Sequence, residues 1–459
     1  MARGKKKESA LTPEEKLAQA LVPEDEQPYK VPENWNWIYL KAGCSDFIVP
    51  QRDKPKVFDG DIPWCRIEDI EGKYLNGTLS NQYVSEDTVS SMNLRVCPAG
   101  TVICSCSASL GRQAILTRNC CTNQTFIGLV CGPALNNEFL YYYLGTLDQH
   151  FEKIGTGTTI KYISRQKFED LSLPLAPRVE QQRIVDRIEY LFAKLDEAIE
   201  KAQSVLDTFE TRKAAILHKA FIGELTAKWR AEHGVKAESW DHTTIGVIAE
   251  VKGGKRVPKG MELTTENTGH PYIKAGNLKQ GTVIDDGMMY VPDDVLQYIK
   301  NYTVQAGDVY ITNVGACIGD CGVIPPKYDG ANLTENAVKI TNLRCNGDYL
   351  ALFLASNTVQ QSIKSLIASA TLGKLSIANI KTIVIDLPSS KEQIEIVSII
   401  KRLFAKEQQA KEAAEAVLEK IDLLKKSILA RAFRGELGTN DPTEESAVEL
   451  LREILKGDI

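Results

Sequence analysis

The chain contains one message written twice. Residues 191–194 (LFAK) recur at 403–406, and 217–225 (LHKAFIGEL) recur as LARAFRGEL at 429–437, both at an offset of 212. Glu180-Gln181 and Ile184-Val185 recur in the same register as Glu392-Gln393 and Ile396-Val397. Separate matches at one offset mark a tandem duplication. Upstream the likeness loosens. IPWCRIEDI (62–70) aligns with HPYIKAGNL (270–278), PAGTVICSCSASLG (98–111) with QAGDVYITNVGACIG (305–319), and Leu173-Pro174 with Leu387-Pro388. The drifting offset reflects short insertions in loops. A unit of about 200 residues is far too long for a solenoid repeat. The fold must therefore be built from two copies of one module.

Each copy has two parts. The first is rich in short apolar runs (TVIC, AILT, FIGLVCG; DVYIT, CGVI, AVKIT) punctuated by Gly, Pro and Asn, which predict strands. Residues 139–151 and 349–363 predict one helix per copy. The second part has no Pro and no Gly between Val179 and Phe221. There Ile184, Ile188, Leu191, Leu195, Ala198, Ala202, Val205 and Phe209 recur in steps of four and three, a heptad seam. Eight acidic residues balance eight basic ones over 178–221, as on a solvated coil exterior. In the second copy the stripe reads Ile396, Ile399, Leu403, Ala410, Ala413, Val417, Leu424 and Ile428. Prolines (Pro177, Pro388) precede each helix and glycines (Gly223, Gly435) follow it. Wholly helical, residues 180–221 would span about 63 Å.

The expected organisation is an N-terminal extension with a short helix (1–31), a first domain (32–177), a spacer helix (178–226), a second domain (238–388), a second spacer helix (389–437) and an acidic tail (438–459). The expected fold class is α+β: two tandem domains, mixed α/β and strand-rich, joined by two long helices pairing as an antiparallel coiled coil in a pseudo-twofold repeat. The alternative is that each helix packs on its own domain. In the extension, Thr12-Pro13-Glu14-Glu15 predicts a capping box with Pro at N1. Lys5–Lys7 read as a solubilising tail or as phosphate contacts.

Composition narrows the function. The chain has 459 residues, 43% hydrophobic and 25% charged, an ordinary globular balance. No apolar stretch reaches membrane-span length, and the basic start lacks an apolar h-region, so a cytoplasmic protein with no membrane partner is expected. Eleven cysteines, eight of them in the first third, are expected to be mostly buried thiols. From Glu436 onward seven acidic residues stand against two basic ones, which carries the whole formal charge of −5. Any basic face must then be local.

No catalytic constellation is evident. There is no glycine-rich cofactor motif after a strand, no phosphate loop and no nuclease carboxylate cluster. Cys104, Cys106, Cys120, Cys121, Cys317 and Cys321 lack zinc spacing. DNA contact is the better reading. Arg52, Lys54 and Lys56 lie in a Pro-punctuated loop, and Lys255, Arg256 and Lys259 lie in a Gly-rich basic loop at the equivalent place. Polar loops recur in both copies: 109–113 against 316–320, 122–124 against 334–336, and 155–164 against 369–377. They contribute the candidates Arg112, Gln113, Asn123, Gln124, Lys161 and Arg165 in one copy and Asn313, Asn336 and Lys374 in the other. Asn and Gln can pair with adenine, and Arg and Lys with guanine. The competing class is a duplicated coiled-coil protein-interaction scaffold without a DNA role. A solitary DNA-binding regulator is a weaker rival.

These features together resemble the specificity subunit of type I restriction-modification systems, over roughly residues 31–437. The resemblance rests on the bipartite repeat, the L-P-x5-E-Q-x-x-I-V entry into the first helix (173–185) with a close version at 387–397, the A-F-x-G-E-L exits, and the P-A-G-T-V-I and N-Q segments. The second copy departs in having Thr-Glu-Asn for Thr-Asn-Gln and Leu-Pro-Ser-Ser for Leu-Pro-Leu-Ala-Pro. The resemblance implies that each globular part is a target-recognition domain reading half of a split site in double-stranded DNA. It implies that the helices set the spacer and dock methyltransferase subunits, probably two, with restriction/translocase subunits completing the complex. It implies a non-catalytic chain without its own cofactor, S-adenosylmethionine, ATP and Mg belonging to the partner subunits. The helix residues so implied are Ile184, Ile188, Leu191, Leu195, Ile396, Leu403, Val417 and Leu424.

Overall fold

The computed structural model describes residues 12–236, 240–368 and 373–456. Lys5–Lys7 and part of the 369–377 loop lie outside the described residues. The chain divides into two compact units, residues 1–200 with 417–459 and residues 201–416. Each holds one strand-rich domain and a segment of both long helices.

In the first unit a five-stranded sheet runs in the order Cys44–Ile48, Phe126–Cys131, Val102–Ser105, Gln113–Leu116, Tyr74–Leu75. A four-stranded sheet runs Tyr83–Val84, Ile62–Cys65, Cys120–Thr122, Val96–Cys97. The runs TVIC, AILT and FIGLVCG are thus strands. They are almost continuously buried because both sheet faces are covered. A separate pair, Asn36–Tyr39 with Ser172–Leu175, leads into the long helix. The second unit repeats the scheme. Its four-stranded sheet runs Glu250–Gly253, Ala337–Thr341, Val309–Thr312, Cys321–Val323, and its lead-in pair is Asp241–Thr244 with Val384–Leu387.

The expected single helix per copy is two helices. Asn137–Leu144 is followed by Asp148–Ile154, and Gly347–Leu354 by Asn357–Ala368. The chain turns after Leu144, where the Thr146 hydroxyl donates to the Tyr143 carbonyl at 2.7 Å, a local bond that competes with the helix ladder.

The first long helix spans Arg178–Asp207 and resumes as Phe209–Phe221. The Thr208 hydroxyl donates back to the Ser204 carbonyl at 2.6 Å and shares it with the Thr208 amide at 3.2 Å. The second long helix, Ser390–Ala432, runs unbroken for 43 residues. In the second unit Phe209 lies against Lys411, Arg212 pairs with Glu407 at 2.6 Å, and Lys213 lies over Phe404. Numbers rise on one segment as they fall on the other, so these segments run antiparallel. In the first unit Lys425 pairs with Asp196 at 2.8 Å and lies over Phe192.

Between Leu403 and Ile428 the stripe expected on the second helix is out of phase, and Ile428 itself packs against the first unit's core. Val417 is 41% exposed and Leu424 47%, while Ala414 and Ile421 are buried. Buried or contacting positions are Ile396, Ile400, Phe404, Glu407, Lys411, Ala414, Ile421 and Lys425, again in steps of three, four and seven. Charged residues at three of these positions masked the frame, and exposed leucines imitated it. On the first helix Ile184 and Ile188 are fully buried, and Leu191 and Leu195 are half-buried.

The extension and the acidic tail belong to the first unit's core. Helix Pro13–Ala20 carries the capping box at Thr12 and Glu15 and packs against helix Ala447–Lys456. Leu17, Ala20, Ala447 and Leu451 are buried in one cluster with Trp35, Trp37 and Phe433.

Candidate nucleic-acid interface

Each long helix is joined to its domain by the Glu-Gln pair that opens it. Glu180 and Gln181 are fully buried, as is Glu392, and Gln393 is 2% exposed. Gln181 donates to the Ala134 and Ala176 carbonyls at 2.9 and 2.8 Å and accepts from the Asn136 amide at 2.8 Å. Asn136 in turn caps helix Asn137–Leu144. Gln393 repeats this, donating to the Pro388 carbonyl at 2.7 Å and accepting from Asn346, the cap of Gly347–Leu354, at 2.8 Å. Glu180 accepts from Trp35 Nε1 at 2.7 Å and Asn440 Nδ2 at 2.9 Å. Glu392 accepts from Trp240 Nε1 at 3.1 Å, Thr226 Oγ1 at 2.7 Å and Arg230 at 2.7 Å. Sequence reasoning used these residues only as repeat markers. Their strict recurrence was the signal that they are a joint.

At the other edge of each domain the polar loops converge. In the second unit the Asn313 amide donates to the Asn336 carbonyl and Leu375 donates to the Asn313 carbonyl, both at 3.0 Å. The Lys255 amide donates to the Leu333 carbonyl at 2.8 Å. A Cβ at Gly254 would lie 2.0 Å from the Thr334 carbonyl oxygen, so only glycine lets the basic loop approach so closely. In the first unit Cys106 donates to the Thr125 carbonyl at 2.7 Å, and Ile163 donates to the Cys106 carbonyl at 2.8 Å. These are the same bonds at the equivalent positions. The polar loops singled out by recurrence therefore meet in each domain, and in the second the basic loop is bonded to them.

Within the clusters the candidates divide. Arg52, Lys54, Lys56, Gln124, Lys255, Lys259 and Lys374 are exposed. Arg256 is exposed but paired with Glu335 at 2.5 Å. Burial would raise the Glu335 carboxyl, but Arg256 and backbone donors outweigh it and hold it below its ordinary value. Lys161 pairs with Glu152, and Arg165 pairs with Glu169 at 2.6 Å. Arg112 is exposed, yet its guanidinium donates to the Ile70 carbonyl at 2.8 Å.

Three candidates are turned to other work. Gln113 is half-buried in a strand covered on both faces, its side-chain amide lying between Gly111 and Gly145. Asn123 locks its own turn, accepting from the Thr125 hydroxyl at 2.6 Å. Asn336 is half-buried and meets Asn313 and Val314 through its backbone carbonyl. Asn313 Oδ1, Trp64 Nε1, Arg66 Nε and Gln82 Oε1 are buried without a protein partner among the described residues. The last three had no sequence signal beyond lying in a polar loop or strand.

All eleven cysteines are free, and most are buried. Burial pushes the Cys97 and Cys121 thiols up to about 12 and the Cys106 thiol up to about 11, the behaviour of apolar fillers. Among the described residues no group of His, Cys, Asp or Glu is arranged to hold a metal ion, and no helix is long and apolar enough to cross a membrane.

Each unit thus carries one loop cluster and one helical joint of the same design. The family model for the type I restriction modification DNA specificity domain matches residues 50–205 and 237–420, and the chain belongs to that family. It is 24% identical over 411 residues to the type I restriction enzyme EcoKI specificity subunit of Escherichia coli (strain K12), covering 83% of each chain. It is 22% identical over 394 residues to the MjaIX specificity subunit of Methanocaldococcus jannaschii, covering 82% of this chain and 88% of that one. The fold is also that of the HsdS subunit from Thermoanaerobacter tengcongensis, with a TM-score of 0.66 at 17% identity over 90% of this chain and 99% of that one.

Proposed function

We propose that the chain reads a bipartite DNA site for a type I restriction-modification complex, with one loop cluster per half-site. The observation that carries this is the recurrence of the same loop-closing hydrogen bonds in both domains, Cys106–Thr125 with Ile163–Cys106 and Asn313–Asn336 with Leu375–Asn313. Such scaffolding holds exposed basic side chains at one edge while leaving their identities free to diverge. Arg52, Lys54, Lys56, Lys255 and Lys259 then make phosphate contacts, and neighbouring polar residues read base edges.

The long helices fix the number of unread base pairs, because each is locked into its own domain at its first turn. They also carry the methyltransferase subunits; the exposed Val417, Leu423 and Leu424 fit such a surface. Catalysis and its cofactors (S-adenosylmethionine, ATP and Mg) belong to those methyltransferase and restriction subunits. The protein works in the cytoplasm, where the host DNA is.

The experiment is an insertion of four residues near Ala198, which lengthens the helix by about 6 Å. Methylation profiling of the host genome should report an altered spacer between two unchanged half-sites. Altered half-sites with an unchanged spacer would refute this division of labour.

A further inference from the structure

The two domains carry the same cavity, and among the described residues only the first has a covering segment. In the first unit a cavity of about 310 Å³ lies between Phe433, Tyr143 and Ser172. In the second a groove of about 780 Å³ lies between Phe221, Phe353 and Val384. The three pairs are equivalent. Phe433 and Phe221 are the same residue of the A-F-x-G-E-L exit. Tyr143 and Phe353 each stand seven residues after the capping asparagine. Ser172 pairs with Tyr39, and Val384 with Thr244, at the same place in the lead-in strands.

Their exposure differs. Phe433 is 1% and Tyr143 4% exposed, whereas Phe221 and Phe353 are only half-buried. Beside them Ile222 is 59% and Val384 46% exposed.

The first cavity is lined on its open side by Pro28 and Tyr29 from the N-terminal segment. Tyr29 sits edge-on to Trp37 at 4.9 Å, under Arg434 at 5.5 Å, and its carbonyl accepts from Trp37 Nε1. Among the described residues, the second domain has no counterpart of this cover. Trp37 is replaced by His242, which is turned to solvent and paired with Asp386 at 2.7 Å. The step from Trp35 to Trp240 carries Tyr29 onto Gly234, which has no side chain to insert.

We propose that the second groove docks a non-helical segment of the methyltransferase subunit, which inserts an aromatic side chain beside Phe221 and Phe353. This rests on the family reading above and names a site within it. The first domain supplies the template, since its cavity is lined by a bent, non-helical segment that brings in the aromatic ring of Tyr29. The occupant is not DNA. The groove lining holds the carboxylate of Asp386 and no lysine or arginine, and this repels phosphate. Nor is it the leader of a second copy, because Tyr29 is already engaged in its own domain.

The test uses the full chain co-purified with its methyltransferase subunit, with the photo-crosslinker p-benzoylphenylalanine at Ile222. The expected result is an adduct to the methyltransferase, mapping to a segment that carries an aromatic residue. The double variant Ile222→Asp/Val384→Asp should bind the methyltransferase about tenfold or more weakly, with its own unfolding midpoint unchanged because both side chains are exposed. An assembled complex without this adduct, an adduct joining two copies of this chain, or unchanged affinity of the double variant would overturn the proposal alone. Failure of the unsubstituted chain to bind any methyltransferase subunit would overturn the family reading as well.

Discussion

Replacing Glu392 by alanine tests the joint between helix and domain. The carboxylate is fully buried and accepts from Arg230, Thr226 and Trp240, and the Arg230 side chain is itself only 10% exposed. Removing one partner of a buried ion pair leaves the other charge uncompensated, which costs about 3–5 kcal/mol. Glu180, its counterpart, accepts from the neutral donors Trp35, Asn440 and Thr439. Glu180→Ala should therefore cost less, about 2–4 kcal/mol, because the stranded donors are uncharged and Asn440 and Thr439 are only half-buried. Adding Arg230→Met to Glu392→Ala should recover part of the loss, because the stranded charge goes with it. Hydrogen exchange by mass spectrometry, in the full chain under increasing urea, assigns each effect to its unit. Peptides covering 223–245 and 388–400 should lose protection in Glu392→Ala while those covering 34–48 keep it. A cost under about 1 kcal/mol, equal loss in both units, or no recovery from Arg230→Met would refute the reasoning.

Three further perturbations address the loops and the tail. Glu335→Gln removes the ion-pair partner of Arg256 and frees that guanidinium for phosphate, so DNA affinity should rise and its log–log salt slope steepen by up to about 0.9. A salt titration of duplex binding reads this, and an unchanged slope would place Arg256 off the DNA. Arg183 hydrogen-bonds to Glu444 and holds that carboxyl below its ordinary value of 4.5. The contribution of this bond is present above that value and lost as pH falls through the depressed one, so proteolysis within 438–456 should accelerate only on acidification, and not in Glu444→Gln, where it should be fast throughout. Leu451 is fully buried against the first domain, so Leu451→Ala should cost about 2–5 kcal/mol, visible as a lower melting temperature with a change in tryptophan fluorescence.

Much of the architecture was legible because repetition and period leave marks on a sequence. The apolar runs became strands, and the first helix's heptads became its buried face. What failed did so for local reasons. On the second helix Glu407 and Lys411 face the neighbouring helix while Leu423 and Leu424 face solvent, so hydrophobicity alone chose the wrong frame. The helices at 139–151 and 349–363 are broken at a turn whose residues do not forbid helix. The sequence marks 438–459 only as an acidic tail outside the repeat, because its charge hides Ala447 and Leu451, two core residues on one face of a short helix. Among the candidate contacts, residue type alone could not tell a base reader from a turn lock. Asn123 and Gln124 are neighbours, yet one closes its turn and the other faces solvent.

The division between what the copies share and what they do not has a mechanical meaning. Shared are the Glu-Gln joint, the asparagine cap it grips, and the bonds that close the loop clusters. Different are the side chains those loops present: Asn123-Gln124-Thr125 against Thr334-Glu335-Asn336, one residue out of the register that the sequence alone suggests, and Arg52 and Lys54 against Lys255 and Arg256. A joint made of buried, mutually satisfied polar groups has one good geometry, since a shifted helix would strand several donors at once, each costing about 1–3 kcal/mol. The direction of the helix from its domain is thereby insulated from the loops. Recognition side chains can then change without altering the spacing, and the helix can change length without altering recognition. That independence fails if the joint loosens. A variant such as Glu392→Ala should then blur the spacer of the methylated sites while leaving the preferred bases of each half in place.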